Sequence, residues 1–194
     1  MHKIIVTGPI NSGKTTVTKM FHKKGYMIFN ADQEAKEIIT KNKSVIKKLI
    51  KIFGDGIMRN NTVSLNMLKS IFLKSKENKK LIDEIIHPIF YSNLNRLVKK
   101  YNKKNIVIEI PLIETLKGRN FKSDIIFISS TYEKRLQRYL INTKHKSQTF
   151  ETINKMQASN IFYKKNSDYI LINNDTIDSL KKRFDNLYRV FENG

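Results

Sequence analysis

Residues 8–15 read Gly-Pro-Ile-Asn-Ser-Gly-Lys-Thr and fill every fixed position of the phosphate-binding pattern G-x-x-x-x-G-K-[ST]. No other feature limits the fold as strongly, because the pattern works only as a turn between a strand and a helix. Both neighbours are present. Lys3–Val6 is a short β-branched run, and Thr16, Val17, Met20 and Phe21 open a helical period. A loop with glycine at both ends can turn its N–H groups inward around a phosphate, and the following helix adds its positive N-terminal end. Lys14 can reach the β- and γ-phosphates, and the Thr15 hydroxyl can ligate Mg²⁺. Gly8, Asn11, Ser12, Gly13, Lys14, Thr15 and Thr16 are therefore the expected nucleotide-binding residues, with ATP as the nucleotide and Thr15 as the ligand to Mg²⁺.

Further short apolar runs follow at Met27–Phe29, Ile106–Ile110, Ile125–Ser129 and Tyr169–Ile172. Runs of this length alternating with helical periods predict an α/β fold on a mainly parallel, five-stranded sheet. Two stretches exceed an ordinary crossover. Residues 32–104 hold helical periods and no convincing strand, and read as an inserted helical subdomain. Within it, Ser44 is placed to cap a helix carrying Val45, Leu49 and Phe53, and His87-Pro88 to open another, with Pro88 in its first turn. Residues 139–165 form a second insertion with a very polar tip at Asn142–Thr149. A C-terminal helix is expected near Thr176–Phe191.

The 194 residues suit one globular domain, with no linker or repeat dividing them. Cysteine is absent, which excludes disulfides, thiolate metal sites and cysteine nucleophiles. No apolar run approaches the ~20 residues that span a bilayer, and the first residues lack a signal-peptide core, so a soluble cytoplasmic protein without a membrane partner is expected. The net charge of +20 would ordinarily suggest nucleic acid. Its source argues otherwise. There are 30 lysines against 7 arginines, with 28 isoleucines, 20 asparagines and 3 alanines, the signature of A/T-rich codons rather than of a selected basic surface. A polyanionic small substrate is still favoured by such a field.

Other candidates lie beyond the strands. Asp32 follows the second run, expected beside the first strand, where a carboxylate would overlie the cleft; as an N-cap of a helix at 33–39 it would do no chemistry. Glu109 interrupts the apolar run of the third strand, and Glu114 follows; two carboxylates there can hold Mg²⁺ through water or orient a basic side chain. Arg135 and Arg138 follow the fourth run. Arg138 suits a transferring phosphoryl group, and Arg135 a solvated helix face. His87, Gln157 and Asn173 carry little chemistry alone. An Asn-Lys-x-Asp guanine-reading segment is missing, and the chain is short for a motor, so small-molecule kinases fit best.

Taken in order, these pieces resemble the dephospho-coenzyme A kinase family over nearly the whole chain. Thr7–Thr16 matches its T-G-G-I-G-S-G-K-S-T loop, and Asn30-Ala31-Asp32-Gln33-Glu34-Ala35-Lys36 its D-A-D-x-x-A-R segment. Phe53-Gly54 and His87-Pro88 fall on its F-G and H-P, and Glu109–Glu114 on D-x-P-L-L-x-E. Leu136-Gln137-Arg138 with Gln157 is similar to its lid pattern, and Asp168–Asn173 to its closing D-x-x-I-x-N. The resemblance implies a P-loop NTPase three-layer sandwich. The core, at 1–31, 105–138 and 166–194, would hold ATP, the insertion at 32–104 dephospho-coenzyme A, and residues 139–165 would be a lid. It implies phosphorylation of the ribose 3′-hydroxyl, the last step of coenzyme A biosynthesis, with Asp32 as proton acceptor, Lys14 and Arg138 on the phosphates, and Lys36, His87, Glu109 and Glu114 toward the acceptor. This chain departs from the pattern at Asn30 and Lys36, and at Asn142, where the family has a second lid arginine that Lys144 or Lys146 would have to replace. Another small P-loop kinase, of nucleoside, nucleotide or shikimate type, and a nucleotide-binding module without transfer activity are the competing readings. The sequence does not set the oligomeric state.

Overall fold

The computed structural model describes residues 1–111, 118–142 and 147–192. The chain divides into two compact units. One comprises Met1–Asn30, Tyr101–Leu116 and Phe121–Gly194, the other Ala31–Lys100 and Lys117–Asn120.

The first unit is built on five parallel strands: β1 (Lys3–Thr7), β2 (Met27–Asn30), β5 (Ile106–Glu109), β6 (Asp124–Ser129) and β7 (Tyr169–Ile172), in the order β2-β5-β1-β6-β7. β1 is central, and its β-branched residues Ile4, Ile5 and Val6 are fully buried, as strands covered on both faces require. The expected neighbour relation fails here, because β5 separates β2 from β1. Burial explains the choice. Ile106, Val107 and Ile108 are fully buried and take the interior place, whereas Met27 and Ile28 are only half-buried and suit an edge. On one face Ile4, Val6, Val107, Ile126 and Ile128 pack with Phe21 of α1 (Lys14–Lys23) and Leu180 and Phe184 of α9 (Ile177–Glu192). On the other, Tyr163 of α8 (Asn160–Lys165) stacks on Phe127 and donates to Pro111 O at 2.7 Å. Between β6 and α8 lie α6 (Tyr132–Asn142) and α7 (Ser147–Met156); the tip expected between them falls largely outside the described residues, with Lys144 and Lys146.

The second unit holds α2 (Ala31–Lys41), α3 (Lys43–Phe53), α4 (Leu65–Lys74) and α5 (Lys76–Lys100), with α2, α3 and α4 packed against α5. Three expectations are corrected in it. The cap of α3 is Asn42, whose side chain accepts from Val45 N at 3.1 Å, rather than Ser44. A small hairpin, β3 (Met58–Arg59) and β4 (Thr62–Val63), occupies a stretch read as strandless; Asn60 and Asn61 both take positive φ, the turn chemistry that asparagine tolerates. Pro88 lies inside α5 instead of opening a helix. It frees the Glu84 carbonyl on an exposed face that water can serve, while Ile82, Ile85, Ile86, Phe90, Leu94 and Val98 hold the helix from the buried side.

Candidate functional site

The carboxyl ends of the strands deliver the chemistry. β1 runs into the loop 8–13, and the loop into α1. Gly8 and Gly13 have φ of 146° and 104°, where L side chains strain, and each also lacks room. A Cβ on Gly8 would lie 2.7 Å from Ile128 O, and one on Gly13 would collide with the Asn173 amide nitrogen.

A loop that offers N–H groups to a phosphate must turn its carbonyls outward, and each carbonyl here meets a donor. Lys14 Nζ donates to Gly8 O at 2.9 Å and Pro9 O at 3.0 Å. Arg135 Nη1 reaches Ile10 O at 3.5 Å, Arg138 Nη1 reaches Asn11 O at 3.4 Å, and Asn173 Nδ2 reaches Ser12 O at 2.7 Å. Gly13 O accepts from Thr16 N and Val17 N in the first turn of α1. Ile10 N in turn donates to Gln157 Oε1 at 2.8 Å. The loop is thus held from α1, α6, the end of α7 and the end of β7, all within the first unit.

Beneath it, Glu109 ends β5, 6 % exposed and in register with Val6 on one side and Asn30 on the other. Its Oε1 accepts from Thr15 Oγ1 at 2.7 Å; its Oε2 accepts from Thr18 Oγ1 at 3.1 Å and Asn30 Nδ2 at 3.4 Å. A hydroxyl beside a carboxylate is a hard oxygen donor set. Mg²⁺ needs only one or two such protein groups when phosphate and water complete its shell, so Thr15 and Glu109 fit it. Among the described residues no cluster of three or more His, Cys, Asp or Glu offers a self-sufficient metal cage.

Arg135 corrects the sequence reading. It is 4 % exposed rather than solvated, donates to Asn154 Oδ1 at 2.8 Å, and lies over the rings of Tyr132 and Phe150. The signal was its spacing, for Arg135 and Tyr139, four residues apart, share the buried face of α6. Arg138 donates to Ser130 Oγ at 3.1 Å, Asn173 O at 2.9 Å and Asn173 Oδ1 at 3.2 Å. Burial lowers the pKa of both guanidiniums. Thr18 had no recognisable chemical signal in the chain, and Asn173 only its place in the family's closing pattern, since their partners are distant in sequence.

In the second unit Asp32 lies exposed in the first turn of α2, one residue inside the helix rather than at its cap. Lys36 is exposed on the same helix. His87 is half-buried on α5; its Nε2 faces Asp83 Oδ1 at 3.6 Å, while Asp83 Oδ2 pairs with Lys79 Nζ at 2.7 Å. Burial lowers the His87 pKa, with Asp83 opposing and Lys79 reinforcing the shift. These side chains and Tyr91 line an open groove of about 590 Å³ along α5. Glu114 lies outside the described residues.

Comparison with known proteins follows this geometry. The profile of the family described as dephospho-CoA kinase matches residues 3–179. A dephospho-CoA kinase from Fusobacterium nucleatum is 34% identical over 179 residues, covering 92% of each chain. Among solved structures, one from Thermus thermophilus superposes with a TM-score of 0.79 at 18% identity, covering 97% of this chain and 96% of that one. The dephospho-CoA kinase of Campylobacter jejuni superposes with a TM-score of 0.70 at 20% identity, covering 96% and 95%.

Proposed function

The chain belongs to the dephospho-CoA kinase family and uses ATP to phosphorylate dephospho-coenzyme A, and on that premise we propose how its own residues divide the work. The observation that supports the proposal is the phosphate loop whose Ile10, Asn11 and Ser12 carbonyls are tied to Arg135, Arg138 and Asn173, while Lys14 rests on the Gly8 and Pro9 carbonyls at the loop's start, from which a bound phosphate would draw it. Phosphoryl transfer has a loose transition state, so catalysis is mostly placement and charge. Lys14 neutralises the β- and γ-phosphates, Arg138 meets the charge that spreads over the transferring group, and Gly8, Asn11, Ser12, Gly13, Thr15 and Thr16 cradle the rest.

Thr15, with Glu109 behind it, would hold Mg²⁺, which when bound would offset the charge of the phosphates. Asp32 accepts the proton as the ribose 3′-oxygen bonds to the γ-phosphorus and the bridging oxygen leaves with ADP. Its place in the first turn of α2, two residues past the end of β2, supports the role. Lys36 and His87 serve the acceptor within the helical unit, Glu114 serves it by the family pattern alone, and residues 139–165 act as lid. The enzyme is taken to be cytoplasmic, acting on soluble metabolites. No helix among the described residues is long and apolar enough to cross a membrane.

The test is ADP release across a panel of acceptors. The proposal expects release with dephospho-coenzyme A and none above background with adenosine, shikimate or nucleoside monophosphates. Turnover with one of those instead, or ATP binding without transfer, would overturn it.

A further inference from the structure

Asn173 ends the core of the sheet, one residue past β7, and is 7 % exposed. Its backbone N donates to Ser129 O at 2.8 Å, which fixes the residue to β6. Its side chain faces two ways. Nδ2 donates to Ser12 O at 2.7 Å, and Oδ1 accepts from Arg138 Nη2 at 3.2 Å. Its carbonyl accepts from the same Arg138 nitrogen at 2.9 Å and from Ser130 Oγ at 2.8 Å. The room around it is filled on the loop side, since a Cβ at Gly13 would collide with Nδ2.

The geometry points to Asn173 as a positioning residue for phosphoryl transfer: one amide holds the Ser12 carbonyl away from the phosphate and holds the Arg138 guanidinium toward it. Only a carboxamide does both. The site needs a donor to a carbonyl and an acceptor for a cation on one planar group, and a carboxylate of the same shape would set oxygen against the Ser12 oxygen. The Ser12 peptide is the one that matters most for this purpose. With its carbonyl held outward, the N–H of Gly13 on the same peptide unit is turned the opposite way, toward the nucleotide. The inference rests on the proposed role of Arg138, and its test separates the two.

The test compares Asn173→Ala, the isosteric Asn173→Asp, Arg138→Ala and the double variant Asn173→Ala/Arg138→Ala, measuring ATP affinity by calorimetry, kcat, KM for each substrate, and melting temperature. A buried carbonyl left without its donor predicts that Asn173→Ala weakens ATP binding about tenfold or more. The KM for dephospho-coenzyme A should stay within about twofold, because that substrate meets neither Ser12 nor Asn173 in this reading. Asn173→Asp should bind ATP more weakly still, despite unchanged shape. In the double variant the kcat losses should fall short of the product of the single losses, as for residues in one network. A lowered melting temperature with unchanged ATP affinity in both Asn173 variants, or fully multiplicative kcat losses, would overturn the inference. Normal turnover in Arg138→Ala would instead remove Arg138 from the proposed mechanism, and the ATP affinities would still decide for or against the Ser12 clamp.

Discussion

Thr15 donates its hydroxyl to the Glu109 carboxylate at 2.7 Å, joining the first turn of α1 to the end of β5 across 94 residues of sequence. The contact brings the hydroxyl expected to meet Mg²⁺ against a buried acid that also accepts from Thr18 and Asn30. Sheet order creates it, because β5 and not β2 is the neighbour of β1.

Glu109→Gln keeps the shape and an acceptor for Thr15 but removes the charge. Groups that orient a metal ligand typically contribute about 10–100-fold to affinity or activity. Turnover should fall in that range, and the Mg²⁺ concentration giving half-maximal rate should rise. A titration of rate against Mg²⁺ checks it, and an unchanged midpoint would leave Glu109 as a structural acceptor only.

Lys14→Ala removes charge stabilisation of the transferring group, and the loss of one such preorganised group costs about 10²–10³ in kcat. The same change strips the Gly8 and Pro9 carbonyls of a donor. Each hydrogen bond is worth about 0.5–1.5 kcal/mol, so the melting temperature should drop by a few degrees while the fold persists. Steady-state kinetics beside a thermal melt reads both effects.

Much of this was legible in the chain, and the gaps have physical causes. Gly8–Thr15 encodes its own function because a phosphate cradle needs local backbone freedom and a lysine at a fixed offset. The five parallel strands were visible as short apolar runs, and the three interior ones, β1, β5 and β6, are runs of buried β-branched residues. Strand order was not, since Met27–Phe29 and Ile106–Ile110 differ in periodicity by nothing that fixes an edge. Asn173 stood only as the last letter of a family pattern and Thr18 not at all, and what either touches was opaque for a related reason. A single polar residue gains meaning only from partners that the sheet brings near, Ser12 across 161 residues and Glu109 across 91. Pro88 misled because propensity names a helix start where packing of Ile82, Ile86 and Phe90 overrides it.

Arg135→Met preserves packing over Phe150 and removes the guanidinium that Asn154 Oδ1 and Ile10 O accept from. Buried acceptors left unpaired cost about 1–3 kcal/mol, which for a chain this size is about 2–4 °C of melting temperature per kcal/mol. A solvated arginine would shift stability by no more than about 0.5 kcal/mol. A melt within 1 °C of the parent would therefore restore the solvated reading.

His87 should make stability depend on pH. Burial holds its pKa in the folded protein below the unfolded value of about 6.5. Between those two values the unfolded chain binds more protons, so stability rises with pH there and is lost as pH falls through the folded pKa. Melting temperatures from pH 7.5 down to 5 should decline more steeply in the parent than in His87→Gln. The Asp83 and Lys79 charges that face the ring stay in place in the variant. Parallel curves would show that His87 titrates alike in both states.

Asp32 decides between a proton acceptor and a helix-terminal charge. In the first turn of α2 its carboxylate interacts with the helix dipole, worth about 0.3–1 kcal/mol at an exposed site. Asp32→Asn should therefore lower the melting temperature by at most a few degrees. As the group that accepts the 3′-hydroxyl proton, it should cost far more in rate. General-base contributions run to about 10²–10⁴-fold, and a loose transition state favours the lower end. ATP affinity should be unchanged, because the residues proposed to hold the nucleotide, from Gly8 to Thr16 with Arg138, make their contacts without Asp32. Calorimetry with ATP, a melt and a turnover assay on the one variant separate the roles. A turnover loss near 10² with intact ATP binding fits the acceptor. Full activity reduces Asp32 to a favourable charge at a helix end, and transfers the search for a base to Glu109 or removes the need for one.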